Sequence, residues 1–221
     1  MDWGIGMRLP NAAHETGTWR INEIVPDFRL EDVWALPVHG RAADFPKFLD
    51  LASHLDPANA GSPATRALWR FRDLLGRWFG IGRITKMSDA AANGVAKLPI
   101  PGKNETSLSG RVPDDLRNTA AHVDFGSLPF SPLYLTGNEF GAEVSNATVH
   151  GVLHLAWADN GEGDYQGRMA VYVRPRGLLG HAYMTLIKPF RHLIVYPALM
   201  KQFESAWNET RTRPQIVRKL H

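Results

Sequence analysis

The feature that most restricts this chain is a series of four short alternating segments, residues 132–136, 139–145, 148–157 and 165–174. They are separated by Gly137-Asn138, Asn146-Ala147 and the stretch 159–164, all of turn chemistry. Period-two alternation rich in Val, Thr, Tyr and Trp, interrupted at short intervals by Gly and Asn, specifies an antiparallel meander. With Asn146-Ala147 as a two-residue turn, Ser145 faces Thr148, Glu143 faces His150 and Glu139 faces His154. One face then carries Phe140, Ala142, Val144, Val149, Gly151, Leu153, Leu155 and Trp157, and the other Glu139, Glu143, Ser145, Thr148, His150 and His154. A slip of one residue would mix the two sets, so burial selects this parity.

The last strand extends the pattern, with Tyr165, Gly167, Met169, Val171 and Val173 on the apolar face and Gln166, Arg168, Tyr172 and Arg174 on the polar one. Rows such as Glu139, His154, Arg168 and Glu143, His150, Tyr172 result. A carboxylate beside an imidazole can orient it and raise its basicity. A charge ladder on a solvated sheet face accounts for the same residues and is the reading adopted. Val149, Leu153, Leu155, Trp157, Met169 and Val171 are expected to be buried, with His150 and His154 on the opposite face.

The rest of the chain supplies helices. Residues 28–36 read as a strand ended by Pro37. Asp44 caps a helix reaching Leu55, with Pro46 in its first turn and Phe48, Leu51 and Leu55 on one side. Ser62-Pro63 opens a second helix whose stripe is Leu68, Phe71, Leu74, Leu75 and Trp78, stopped by Gly80. Residues 81–131, rich in Gly, Pro, Ser and Asn, read as irregular loops with short strands. A helical region spans about 178–209, and Pro189 and Pro197 each kink it or start a new segment. The result is an α+β fold of helix-grip type, one domain over residues 1–221: a curved antiparallel sheet packed on a long C-terminal helix, with two N-terminal helices. Such a sheet and helix enclose an apolar cavity suited to small molecules.

Composition narrows the chemistry. The absence of cysteine removes disulfides and thiolate metal sites. The formal net charge of +3 is too small to argue for nucleic acid. No apolar run approaches the ~18 residues of a membrane span and no signal pattern opens the chain, so a cytoplasmic protein is expected. His150 and His154 sit four residues apart on a strand, a span of about 13 Å, too far for one zinc. Dinucleotide, Walker and G-x-S-x-G motifs are absent. Neither a metal nor a cofactor is expected.

The densest chemistry lies in residues 183–197. From Tyr165 to Phe203 no Asp or Glu occurs, whereas Arg168, Arg174, Arg176, Lys188, Arg191 and Lys201 all do. On a helix Lys188, His192 and Tyr196 line one edge. Lys188, Arg191 and His192 are read as the mouth of the cavity, recognising a carboxylate, phenolate or phosphate on an otherwise apolar ligand. Trp157, Tyr165, Met169, Tyr183 and Tyr196 complete the candidate ligand-binding set. The competing reading pairs Arg191 with a distant acid such as Asp32, Asp114 or Asp115.

Residues 145–155 (Ser-Asn-Ala-Thr-Val-His-Gly-Val-Leu-His-Leu), 169–180 (Met-Ala-Val-Tyr-Val-Arg-Pro-Arg-Gly-Leu-Leu-Gly) and the block 188–197 resemble the bacterial DUF2867 proteins, a family of unknown function. The resemblance extends upstream through residues 98–102 and 111–116. It implies the START/Bet v 1-like (SRPBCC) helix-grip superfamily, whose members include lipid and hormone carriers and polyketide cyclases. Some relatives are fused to an NAD(P)-binding dehydrogenase-like domain, so a redox partner of this chain would be a separate protein. No established catalytic residues carry over. Two functions fit: a domain binding a small hydrophobic or amphipathic molecule, with cyclase or dehydratase chemistry as an extension, or a non-catalytic carrier or interaction module.

Overall fold

The computed structural model describes residues 6–55, 106–126, 128, 130–146 and 148–212. Six antiparallel strands, β1 (Met7–Leu9), β2 (Arg29–Gly40), β3 (Ser131–Leu135), β4 (Glu139–Ser145), β5 (Val149–Gly161) and β6 (Asp164–Pro175), form one curved sheet in the order β1-β2-β6-β5-β4-β3. Two single-turn helices, α1 (Ala12–Glu15) and α2 (Ile21–Ile24), precede β2, and α3 (Phe45–His54) follows it. The described residues end with α4 (Gly177–Phe190), a π-helical turn Arg191–Val195 and α5 (Tyr196–Thr212). The fold is α+β, a sheet packed on a C-terminal helix. The helix expected from Ser62 to Gly80, and residues 81–105 of the expected loop region, lie outside the described residues.

The hairpin turns explain the registers. Glu162 and Gly163 both have positive φ, 55° and 78°, the backbone a tight two-residue turn demands, and they join Gly161 to Asp164. The β4–β5 connection is wider than its sequence suggests. Asn146 Oδ1 accepts from the Thr148 and Val149 amides at 2.9 and 3.0 Å, and Ser145 pairs with His150 rather than Thr148. The register therefore slips by two residues, which preserves parity: Phe140 still faces Leu155's side of the sheet, and the histidines stay opposite. Pro37 does not end β2, which continues to Gly40. The proline falls in an irregularity between Ala35 and His39, where no ladder bond is demanded of it.

On the expected core face, Tyr196, Met200, Phe203 and Trp207 of α5, spaced four, three and four, pack with Trp34, Leu36, Phe140, Leu155, Trp157 and Met169. Phe48 of α3 stacks on Trp157 at 5.4 Å, and the Trp157 and Trp207 indoles donate to the carbonyls of Arg41 and His39. Leu155, Trp157 and Met169 are buried as expected, whereas Val149, Leu153 and Val171 are half-buried.

The opposite face corrects the sequence reading. It is not solvated. His154, His150, Glu143 and Glu139 are 0%, 1%, 2% and 3% exposed. α1, α2, residues 25–28 and the 3-10 turns Leu108–Arg111 and Asp114–Leu116 form a second layer, in which Ile21, Ile24, Leu108, Val112 and Leu116 pack with Val33, Tyr134, Val152 and Tyr172. The sheet is thus sandwiched. The covering segments are short and aperiodic, so no hydrophobic pattern announces them.

Candidate functional site

The cationic block reaches the sheet through consecutive carboxylates. Neighbouring strand residues normally point to opposite faces, but β2 bulges between Leu30 and Asp32, and both Glu31 and Asp32 meet the C-terminal segment. Asp32 is fully buried. It accepts from Arg191, from His192 Nε2 at 2.7 Å and from the Tyr196 hydroxyl at 3.1 Å, with Arg8 at 3.5 Å. Glu31 is bonded by Arg29 and approached by Lys188 at 3.8 Å. The π turn makes the convergence possible. In an α-helix Arg191 and Tyr196 would lie about 140° apart; here the Tyr196 N–H bonds the Arg191 carbonyl, five residues back, and both side chains reach one carboxylate. Pro197 has no N–H and would crowd the carbonyl four residues earlier, which favours the wider turn. Burial pushes the Tyr196 phenol up, so it remains a donor.

A second polar centre lies under the N-terminal layer. Although Glu139 pairs in register with Ala156, His154 Nε2 reaches its Oε2 diagonally at 2.9 Å. Tyr134 donates to the same oxygen at 2.8 Å and the Arg20 amide to Oε1 at 2.9 Å. Burial raises the Glu139 carboxyl, but the hydrogen bond from His154, with these two donors, outweighs it and holds it below the usual range. His154 Nδ1 then accepts from His14 Nε2 at 3.0 Å. Two rows along, His150 Nε2 lies 2.8 Å from Glu143 Oε2, and Glu143 also accepts from Ser107 Oγ and from the Leu108 amide at 3.1 Å. These carboxylates bind the covering segments to the sheet. His14, Ser107 and Arg20 carry no local sequence signal for that role.

A cleft of about 740 Å³ opens on the α5 side of the sheet, between α3, residues 122–126 and the β3–β4 turn. Phe45, Leu49, Leu55, Val123, Phe125 and Leu135 line it, with Asp50, Ser53, His54, His122, Asp124 and Thr136 at intervals. Ser53, His54 and Asp50 are not a nucleophilic triad. Ser53 Oγ donates to the Asp50 carbonyl; His54 Nδ1 lies 2.8 Å from the same oxygen and 3.2 Å from Ser53 Oγ, and because it donates to the carbonyl it holds a proton and cannot take one from the serine.

None of the eight candidate ligand residues lines this cleft. Arg191, His192 and Tyr196 converge on Asp32 and Lys188 approaches Glu31, the distant-acid arrangement that Asp32 made possible. Trp157 and Met169 belong to the core beneath α5, with Tyr165 half-buried against it. Tyr183 is half-buried on α4.

The sequence profile described as "Protein of unknown function (DUF2867)" matches residues 24–198, from the end of α2 into α5. The chain belongs to the DUF2867 family. The match takes in the bulge carboxylates, both Glu–His pairs and the π turn of this DUF2867 chain. No curated protein and no solved structure matches it significantly.

Proposed function

We propose that this DUF2867 chain is a small-molecule-binding domain whose ligand is largely apolar with one hydrogen-bonding end. The cleft beside α3 carries the reading: its volume lies in the range of small-ligand sites, and its lining combines aromatic and aliphatic walls with a few imidazole, carboxylate and hydroxyl groups. The sheet-plus-helix arrangement supports it, being of the kind expected of the START/Bet v 1-like superfamily that the family resemblance implies. Binding, rather than acyl transfer, fits a lining in which Ser53 and His54 are both engaged by Asp50.

Native mass spectrometry of the purified full chain tests this, with a bound small molecule expected as a mass adduct. Leu135→Trp, which fills the cleft from a half-buried position, should abolish the adduct while melting stays unchanged. An adduct that persists in a folded Leu135→Trp variant places the ligand elsewhere and removes the proposal.

A further inference from the structure

Helix α4 turns its apolar side chains away from the core. At about 100° per residue, Leu178, Ala182, Leu186 and Pro189 of α4 fall on one side, spaced four, four and three, and Leu193 follows in the π turn. Leu178, Leu179, Leu186 and Leu193 are 89%, 68%, 56% and 76% exposed, whereas Gly180 and Met184 form the buried underside. Scattered exposed leucines are ordinary, but a contiguous row on one helix marks a contact surface.

The helix cannot roll to hide this row, because both ends are seated. A Cβ on Gly180 would lie 2.4 Å from the Thr148 carbonyl oxygen and 3.1 Å from the Pro175 carbonyl carbon, so glycine allows the first turn to rest directly on backbone. At the other end Arg191 and His192 are bound to the buried Asp32. The outward leucines are therefore part of the folded surface.

The charge of the surroundings selects the occupant. No acidic residue occurs between Tyr165 and Phe203, and where the row reaches the π turn the cations Arg8, Arg29, Lys188 and Arg191 gather on two carboxylates, Glu31 and Asp32, leaving positive charge in excess. A two-fold contact with a second copy would bring this positive excess against itself, with no carboxylate on the helix to offset it. An anionic bilayer meets both demands: leucines enter the acyl boundary while the half-exposed Arg8, Arg29 and Lys188 stay among the headgroups.

We propose that α4 docks this domain onto anionic phospholipid membranes, lying in the plane of the interface. This goes beyond the cleft and does not depend on it. Vesicle co-sedimentation of the full chain tests it, using vesicles of three parts phosphatidylcholine to one part phosphatidylserine and vesicles of phosphatidylcholine alone. Sedimentation with the phosphatidylserine vesicles, weakened by salt and by omitting the anionic lipid, is expected. Leu186→Glu and Leu193→Glu, both at exposed positions, should each lower partitioning at least about tenfold with the circular dichroism and melting of the parent. The proposal is overturned if the chain stays in the supernatant with anionic vesicles, or if both folded variants sediment like the parent. It is equally overturned if the parent is a dimer that Leu193→Glu makes monomeric without any lipid binding, which would assign the row to a second copy.

Discussion

His14 Nε2 lies 3.0 Å from His154 Nδ1, across 140 positions of sequence, and both side chains are completely shielded from solvent. Because His154 donates from its other nitrogen to Glu139, the chain of protons runs one way, from His14 to His154 to Glu139, and requires His154 neutral, with Nδ1 free to accept. Burial, then the neighbouring His154 and Arg168, holds His14 down to about 3, and burial also lowers His154 against the opposing pull of Glu139.

Acid should therefore loosen this fold earlier than carboxylate titration alone would. The unfolded chain takes up protons on these histidines near 6.5, where the native state refuses them. Their stabilisation is complete above pH 6.5 and is lost as pH falls from 6.5 toward 3, by as much as about 1.4 kcal/mol per pH unit for each unmatched proton. Glu139, whose folded value is depressed, adds a loss of its own below 4.5. Urea midpoints should drop between about pH 7 and about pH 5, and His14→Phe should flatten that drop; a parent midpoint constant over this window contradicts the neutral relay.

Asp32 joins sheet to helix, so Asp32→Ala should cost about 3 to 5 kcal/mol by stranding Arg191 and two further donors. Arg191→Ala should lower the melting temperature by several degrees. The double variant should lose less than the sum of the singles, by at least about 0.5 kcal/mol. Additive losses in urea unfolding would mean that the contact is not energetically coupled.

Glu143 fastens the 3-10 turn Leu108–Arg111 to β4. Removing its carboxylate with Glu143→Ala leaves His150, Ser107 Oγ and the Leu108 amide without this acceptor, each worth about 1 to 3 kcal/mol when buried. Amide hydrogen exchange should accelerate at Leu108 well before it does in β5. Uniform acceleration across the sheet would instead show that the layer and the sheet open as one unit.

Gly180→Ala offers a test of sign. In a free helix the change would stabilise by roughly 1 kcal/mol. Here the new methyl meets the Thr148 carbonyl oxygen at 2.4 Å, and we expect a net loss of about 1 to 3 kcal/mol. A higher melting temperature in the variant would show that α4 can lift from the β4–β5 turn.

Local chemistry determined much of this protein. Alternation in residues 139–157 set which side chains share a face, since a slip of one residue would put Glu139 and Glu143 on the side of Leu155 and Trp157, and the spacing of Tyr196, Met200, Phe203 and Trp207 set the side of α5 that meets the sheet. Pro197 marked where the helix restarts. Tertiary structure decided what each face meets. The row of Glu139, Glu143, His150 and His154 reads as solvated because a strand pattern reports parity and not coverage, and coverage came from aperiodic segments up to 140 positions away. The partner of Arg191 was likewise undecidable locally: a bulge in β2 and a π turn after α4, both products of packing, brought Asp32 beneath it. Hydrophobic period is a property of neighbours in sequence, whereas burial of charge depends on which distant chain supplies the matching donor.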